Sequence, residues 1–141
     1  FDGDNIGNKA CEGCHVEESE SWKASRHASS MMTLTVAGKH EESGCVACHA
    51  TPMTSGLGTE RDLADYRVDD AVGCESCHGP GKAHVAAAGG TGNIERLGDD
   101  CPVCVIEAVC TSCHDASNDK SWDLDKKLPL TRHGAVQPAA P

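Results

Sequence analysis

Cys11-Glu-Gly-Cys14-His15, Cys45-Val-Ala-Cys48-His49, Cys74-Glu-Ser-Cys77-His78 and Cys110-Thr-Ser-Cys113-His114 repeat one pattern four times within 141 residues. C-x-x-C-H is the attachment signature of c-type haem. The two thiols add covalently to the porphyrin vinyl groups, and the adjacent imidazole is placed to ligate iron from one face. One copy arises by chance; four do not. The expected cofactor is four covalently attached haem c groups, bound by Cys11, Cys14, Cys45, Cys48, Cys74, Cys77, Cys110 and Cys113.

The ligand count closes. The chain has eight histidines. His15, His49, His78 and His114 belong to the motifs, leaving His27, His40, His84 and His133 for four sixth coordination positions. In an arbitrary protein a spare histidine is an ordinary surface or core imidazole, but here iron is plentiful and competing ligands are few. The count predicts four low-spin bis-histidine irons, suited to moving electrons with little rearrangement, whereas an enzyme acting at iron needs an open position. Met31, Met32 and Met53 then have no vacancy to fill and read as packing against porphyrin.

Structural zinc is the competing use of cysteine and histidine, but its ligand sets do not fuse histidine directly to C-x-x-C. Cys101-Pro-Val-Cys104 lacks that histidine, with Val105 in its place. A local disulfide is the first reading of this pair; free thiols or a degenerate fifth motif are the alternatives. No catalytic serine, phosphate-binding glycine loop or convincing carboxylate pair accompanies the motifs, so an enzyme is not expected. Glu41-Glu42 and Asp69-Asp70 read as solvated faces.

The elements that must position these groups are short. Phe1–Ala10 reads as an extended lead-in. Val16–Met32 reads as a helix, with acidic residues early and basic residues late, as the helix dipole favours. His27 and Met31, four apart, share its face, and Trp22 packs against haem or helix. Thr33–Gly44 reads as loop, Thr51–Thr59 as turns and Glu60–Arg67 as two short helical turns. Gly79-Pro80-Gly81 marks a reversal, Lys82–Ala88 a helix, Ala116–Lys127 one more turn, and Leu128–Pro141 an extended tail. Motif starts at 11, 45, 74 and 110 have unlike flanks, which argues for one multihaem domain over residues 1–141 and against a solenoid.

One Phe, one Tyr and two Trp make a weak core. Haem supplies the missing apolar mass, so the expected fold is mostly α with extensive irregular loops, organised around four haems, and cofactor attachment acts as folding energy. A formal charge of −10, made more negative by haem propionates, argues against nucleic acid and anionic lipid as partners. No stretch approaches the ~18 apolar residues of a membrane helix. Because c-type haem is attached outside the cytoplasmic membrane, the expectation is an exported chain, periplasmic or extracellular, with its signal already removed.

Cys11–His15 leading through Ser21-Trp22-Lys23 to His27 and Met31, and Gly73-Cys74-Glu75-Ser76-Cys77-His78-Gly79-Pro80-Gly81 followed by His84, resemble the cytochrome c-554 family of tetrahaem cytochromes. That resemblance implies crossed capping: His27 opposite His78 on the third haem, and His84 opposite His15 on the first. His133 then meets His114, and His40 by elimination meets His49, although family members can leave the second haem five-coordinate. Size and ligand count are also similar to tetrahaem subunits of extracellular cytochrome filaments (nanowires), in which one subunit's histidine completes a haem of the next. The reading is electron transfer between redox-protein donors and acceptors, by a homopolymer subunit with His40 as first candidate and His133 as second for the ligand supplied in trans. A soluble periplasmic shuttle and a small-ligand reductase with one open iron are the rivals.

Overall fold

The computed structural model describes residues 4–53, 62–98 and 100–134. Short helices joined by loops make up most of it: α1 (Asn8–Glu12), α2 (Val16–Lys23), α3 (Ser30–Val36), α4 (Ser43–His49), α5 (Cys74–His78), α6 (Lys82–Ala86), α7 (Val103–Thr111) and α8 (Leu124–Thr131). Two strands, β1 (Thr51–Pro52) and β2 (Tyr66–Arg67), pair antiparallel, with Thr51 opposite Arg67 and Pro52 opposite Tyr66. Among the described residues no helix is long and apolar enough to cross a membrane.

Several elements differ from expectation. The lead-in turns helical at Asn8, after Gly7 at φ +87°. The helix expected over Val16–Met32 breaks after Lys23, passes through a 3-10 turn at His27–Ser29 and resumes as α3 to Val36. The break follows a local competition, because the Ser25 amide bonds the Trp22 carbonyl and the Ser25 hydroxyl accepts from the Ala28 amide at 3.4 Å. Within Glu60–Arg67, Leu63–Asp65 is one 3-10 turn, and Tyr66–Arg67 is a strand. Asp123 caps α8 by accepting from the Lys126 amide at 3.2 Å, and that helix runs through Pro129 to Thr131 where extended chain is expected. The rest of the expected tail, 135–141, lies outside the described residues, as does most of the expected turn segment beyond Met53.

The apolar core is as thin as the composition implies: Leu34, Val46, Ala50, Ala71 and Ile106 are the buried hydrophobic residues among those described. Met31, Cys45, Tyr66 and Val68 pack around the Leu34–Val46–Ala50 cluster. Buried polar groups do much of the joining instead. The Glu75 carboxylate, only 5% exposed, accepts from the amides of Ile6 at 2.9 Å, Gly7 at 2.8 Å and Gly81 at 2.7 Å. It ties the lead-in, the third motif and the Gly-Pro-Gly reversal to one point. A side chain at Gly81 would put Cβ 3.2 Å from a Glu75 oxygen and 3.3 Å from Ile6, so a larger residue there would require Glu75 or Ile6 to shift by a few tenths of an ångström.

Asn8 adds a second tie, accepting from the Cys74 amide at 2.9 Å and donating to the Asp70 carbonyl at 3.0 Å. Asp70 is not on a solvated face as expected: it is half-buried, accepts weakly from the Asn8 amide at 3.3 Å, and burial pushes its carboxyl up. Thr51, 1% exposed, donates to the Ala71 carbonyl at 2.9 Å and accepts from the Gly73 amide at 2.9 Å. The Ser30 hydroxyl donates to the His49 carbonyl at 2.8 Å and accepts from the Val72 amide at 3.1 Å. Trp22 is half-buried and donates its indole N–H to the Val72 carbonyl at 2.9 Å.

Replacing Glu75 by Ala leaves three amides without their acceptor and should destabilise the haem-loaded protein by about 3 kcal/mol. Denaturant unfolding followed by circular dichroism measures it; a change below about 0.5 kcal/mol, the size of an ordinary surface substitution, contradicts this role for Glu75.

Candidate haem sites

Each motif is wound as a helical turn, which sets its two cysteines and histidine three and four residues apart on one face. The turns close through backbone bonds: His15 N–H to Cys11 O at 3.0 Å, His114 N–H to Cys110 O at 2.9 Å, Gly79 N–H to Glu75 O at 3.1 Å and Ala50 N–H to Val46 O at 2.9 Å. In the second and third motifs the whole pattern lies within α4 and α5; in the first and fourth, α1 and α7 end before the second cysteine and a tighter turn carries it.

The histidines then meet in pairs. His15 faces His84 with ring centroids 6.1 Å apart, His27 faces His114 at 6.1 Å, and His78 faces His133 at 6.0 Å. Two metal–imidazole bonds of about 2.0–2.1 Å, one on each side of an ion, set two rings about this far apart. The pairing of His84 with His15 is the one the resemblance implies. The other two are exchanged: His27 stands opposite the fourth-motif histidine instead of His78, and His133 opposite the third instead of His114. In the first exchange His27 opens the 3-10 turn His27–Ser29, four residues beyond the end of α2, where a continuous helix is expected. The second follows from α8, which runs to Thr131, while the Gly134 amide just beyond His133 is held by the Ser21 hydroxyl at 2.7 Å. His40 and His49 make no such pair: His40 is exposed, beside Met31, Thr35, Glu41, Leu63, Val68 and Asp69 in a cleft of about 310 Å³.

Four of the eight rings are also oriented through Nδ1, which leaves their Nε2 free for a metal. His49 Nδ1 bonds the Ser30 carbonyl at 2.9 Å, His78 Nδ1 the Glu95 carbonyl at 2.8 Å and His84 Nδ1 the Gly90 carbonyl at 3.1 Å. His114 Nδ1 bonds the Asp119 carboxylate at 3.1 Å. Burial pushes the pKa of His27 down, helped by the charge of His114, and burial followed by the charge of His78 does the same to His133. Both are thereby held in the neutral form that binds metal.

The attachment cysteines are crowded across motifs. Cys11 and Cys74 lie close enough to perturb each other, the neighbouring thiol being the main cause that pushes Cys11 up and Cys74 down. Cys48 is pushed up to about 11, first by burial and then by Cys113 beside it. Burial lifts Cys77 to about 11, with Cys110 and Cys113 near enough to add to the effect. Cysteines of the first motif thus lie near those of the third, the third's near the fourth's, and the fourth's near the second's. Beside His78 opens a cavity of about 580 Å³ whose walls combine Pro80, Ala83, Ala86 and Ile94 with Asp4, Lys82, Asn93 and Glu95. Paired rings, Nε2 atoms left open by Nδ1 bonds, helical C-x-x-C-H turns and a cavity with apolar side chains on part of its wall fit c-type haem. Cys101 and Cys104 remain free thiols where a local disulfide is expected; Pro102 starts α7 between them, leaving Cys101 half-buried and Cys104 exposed.

Asp119, Ser30 and the carbonyls of Gly90 and Glu95 escaped the sequence reading. Only Asp119, an acid five residues after a motif histidine, carries a side-chain signal; backbone carbonyls carry none.

Residues 10–79 match the family described as cytochrome c554 and c-prime, a segment that contains the first three motifs. The resemblance to the cytochrome c-554 family therefore holds. Cytochrome c-554 of Nitrosomonas europaea is 32% identical over 54% of this chain and 38% of its own length. The C-type polyheme cytochrome OmcB of Geobacter sulfurreducens is 31% identical over 65% of this chain and 12% of its own. The chain thus spans well under half of either relative. No solved structure matches it.

If His27 serves the fourth site, His27→Ala should turn one haem high-spin in the full chain. It should add no high-spin signal in a Cys110→Ala/Cys113→Ala protein, where that site is gone. Electron paramagnetic resonance reads both; an added high-spin signal in the second protein would assign His27 to the third site.

Proposed function

We propose that this chain, whose first half carries the cytochrome c-554 pattern, is an electron-transfer protein holding four c-type haems. The observation that carries this reading is the set of three histidine pairs at 6.0–6.1 Å, each joining one motif histidine to one distant histidine. The haems would be held through Cys11 and Cys14, Cys45 and Cys48, Cys74 and Cys77, and Cys110 and Cys113. The axial residues would be His15 with His84, His78 with His133, His114 with His27, and His49 with a ligand from elsewhere. When bound, haem supplies a one-electron iron couple. The chain's own residues fix the ring tautomers, shield the sites and hold them in the order first, third, fourth, second, as the neighbouring cysteines support.

The second site separates the finer readings. A homopolymer in which His40 of one subunit caps His49 of the next, forming an extracellular filament, is supported by two facts together. His40 is exposed, and no histidine ring stands opposite His49. His133 is the weaker candidate for a ligand in trans, because it already faces His78. The same two facts support the small-ligand reading, in which the second iron stays open and the chain is not solely a carrier. Export to periplasm or cell exterior accompanies every version, because c-type haem is attached there.

Native mass, particle images and spin state decide among them. The filament reading expects polymers with every iron low-spin, and His40→Ala should release subunits bearing one high-spin haem. Uniform monomers with every iron low-spin contradict the polymer and leave a shuttle. Monomers with one high-spin iron that takes up carbon monoxide when reduced support the small-ligand site. A chain whose mass shows no covalent haem contradicts all three.

A further inference from the structure

His114 differs from the other oriented histidines in what its Nδ1 meets. His49, His78 and His84 bond neutral backbone carbonyls, and His15 lies 3.9 Å from the Glu18 carboxylate, beyond hydrogen-bond reach. His114 alone among them makes a hydrogen bond to a carboxylate, Asp119 Oδ2, at 3.1 Å. The pair is half-covered, with side-chain exposures of 36% and 24%, so solvent screens it only in part.

The segment after His114 is built to hold that contact. Asp115 accepts from the amides of Ser117 and Asn118, and its carbonyl accepts from the Asp119 amide at 2.8 Å. The second Asp119 oxygen, Oδ1, accepts from the Ser121 amide at 3.1 Å and the Ser121 hydroxyl at 2.9 Å, which fixes the carboxylate in place. Trp122 donates its amide to the Asp119 carbonyl at 3.1 Å and stacks on the His114 ring, centroids 4.5 Å apart and planes 17° apart. The ring is thus fixed on one face by indole and at one edge by a carboxylate.

We propose that Asp119 is a positioning and tuning residue for the fourth haem, lowering its reduction potential relative to the haems whose histidines bond carbonyls. This rests on the proposed function, that His114 ligates haem iron. An N–H shared with a carboxylate makes the opposite nitrogen a stronger donor than one shared with a carbonyl. A stronger donor favours ferric over ferrous iron, and the midpoint falls. Because cysteines of the fourth motif lie near those of both the third and the second, the effect raises an energetic step inside the array, where it shapes passage without trapping electrons at an end.

Asp119→Asn keeps an acceptor oxygen at Nδ1 and removes the charge; Ser121→Ala removes a competing donor and leaves the carboxylate more basic. Haem content by mass comes first, then spectroelectrochemical titration of each haem-loaded protein. The expected result is that one midpoint rises in Asp119→Asn by the equivalent of about a tenfold change in ferric-over-ferrous preference, some 59 mV for a one-electron couple. The same midpoint falls in Ser121→Ala, and the other three move less. A merely structural role would not give opposite signs. Midpoints unchanged in both variants, moving together, or shifting in the same direction in both overturn the inference. Should Asp119→Asn fail to take up four haems, Ser121→Ala decides alone, by a downward shift or its absence. A wild-type chain with no haem at Cys110 and Cys113 fails at the mass measurement, overturning the haem reading first and this inference with it.

Discussion

A chain with five buried apolar side chains among its described residues cannot organise itself around hydrocarbon, and the Glu75 carboxylate takes on much of that task. Three amides from two separate segments converge on one buried anion placed inside the third C-x-x-C-H. Through it, the lead-in to the first motif is held against the turn that aims His84, so the first and third sites are built together. Asn8, Asp70, Thr51 and Ser30 extend the same logic to the strands and the second motif. Each side chain bridges two or three backbone segments, so losing one leaves buried partners unpaired, which costs more than a surface bond is worth. A polar frame of this kind leaves apolar faces such as those of Met32, Val36 and Val85 exposed in the chain alone.

The same frame explains why histidines distant in sequence meet. α5 and α6 are separated by the Gly79-Pro80-Gly81 reversal, which sends His84 away from His78 and toward His15. His27, in the 3-10 turn after α2, faces His114, and Ser21 holds the chain just past His133, whose ring faces His78. Each pair joins segments far apart in sequence. Ligation would therefore work as a cross-link as well as an electronic feature, the same coupling of metal binding to folding that governs small metal-dependent domains.

The chemistry was legible in the sequence and the geometry only partly. Fused C-x-x-C-H motifs announce haem because covalent chemistry fixes their spacing, and Gly-Pro-Gly announces a reversal because few other residues make one. The His84–His15 pair was accessible through family resemblance. The fates of His27 and His133 were not, since they turn on a helix break at Ser25 and on a helix running through Pro129, both decided by local hydrogen bonding that composition does not reveal. Asp70 was misplaced on a solvated face because the fold of the lead-in against the third motif is a long-range event. His40 was assigned by elimination, and elimination presumes that every ligand comes from the same chain.

The central claim is that three irons are each held between one motif histidine and one distant histidine, in the pairs His15–His84, His78–His133 and His114–His27. An experimental structure of the haem-loaded protein, with its neighbouring chains included, reads the iron ligands directly. The account predicts Nε2 of each named pair on a shared iron, with His49 on a fourth. His27 on the iron of His78, or any of these three distant histidines away from iron, would contradict it.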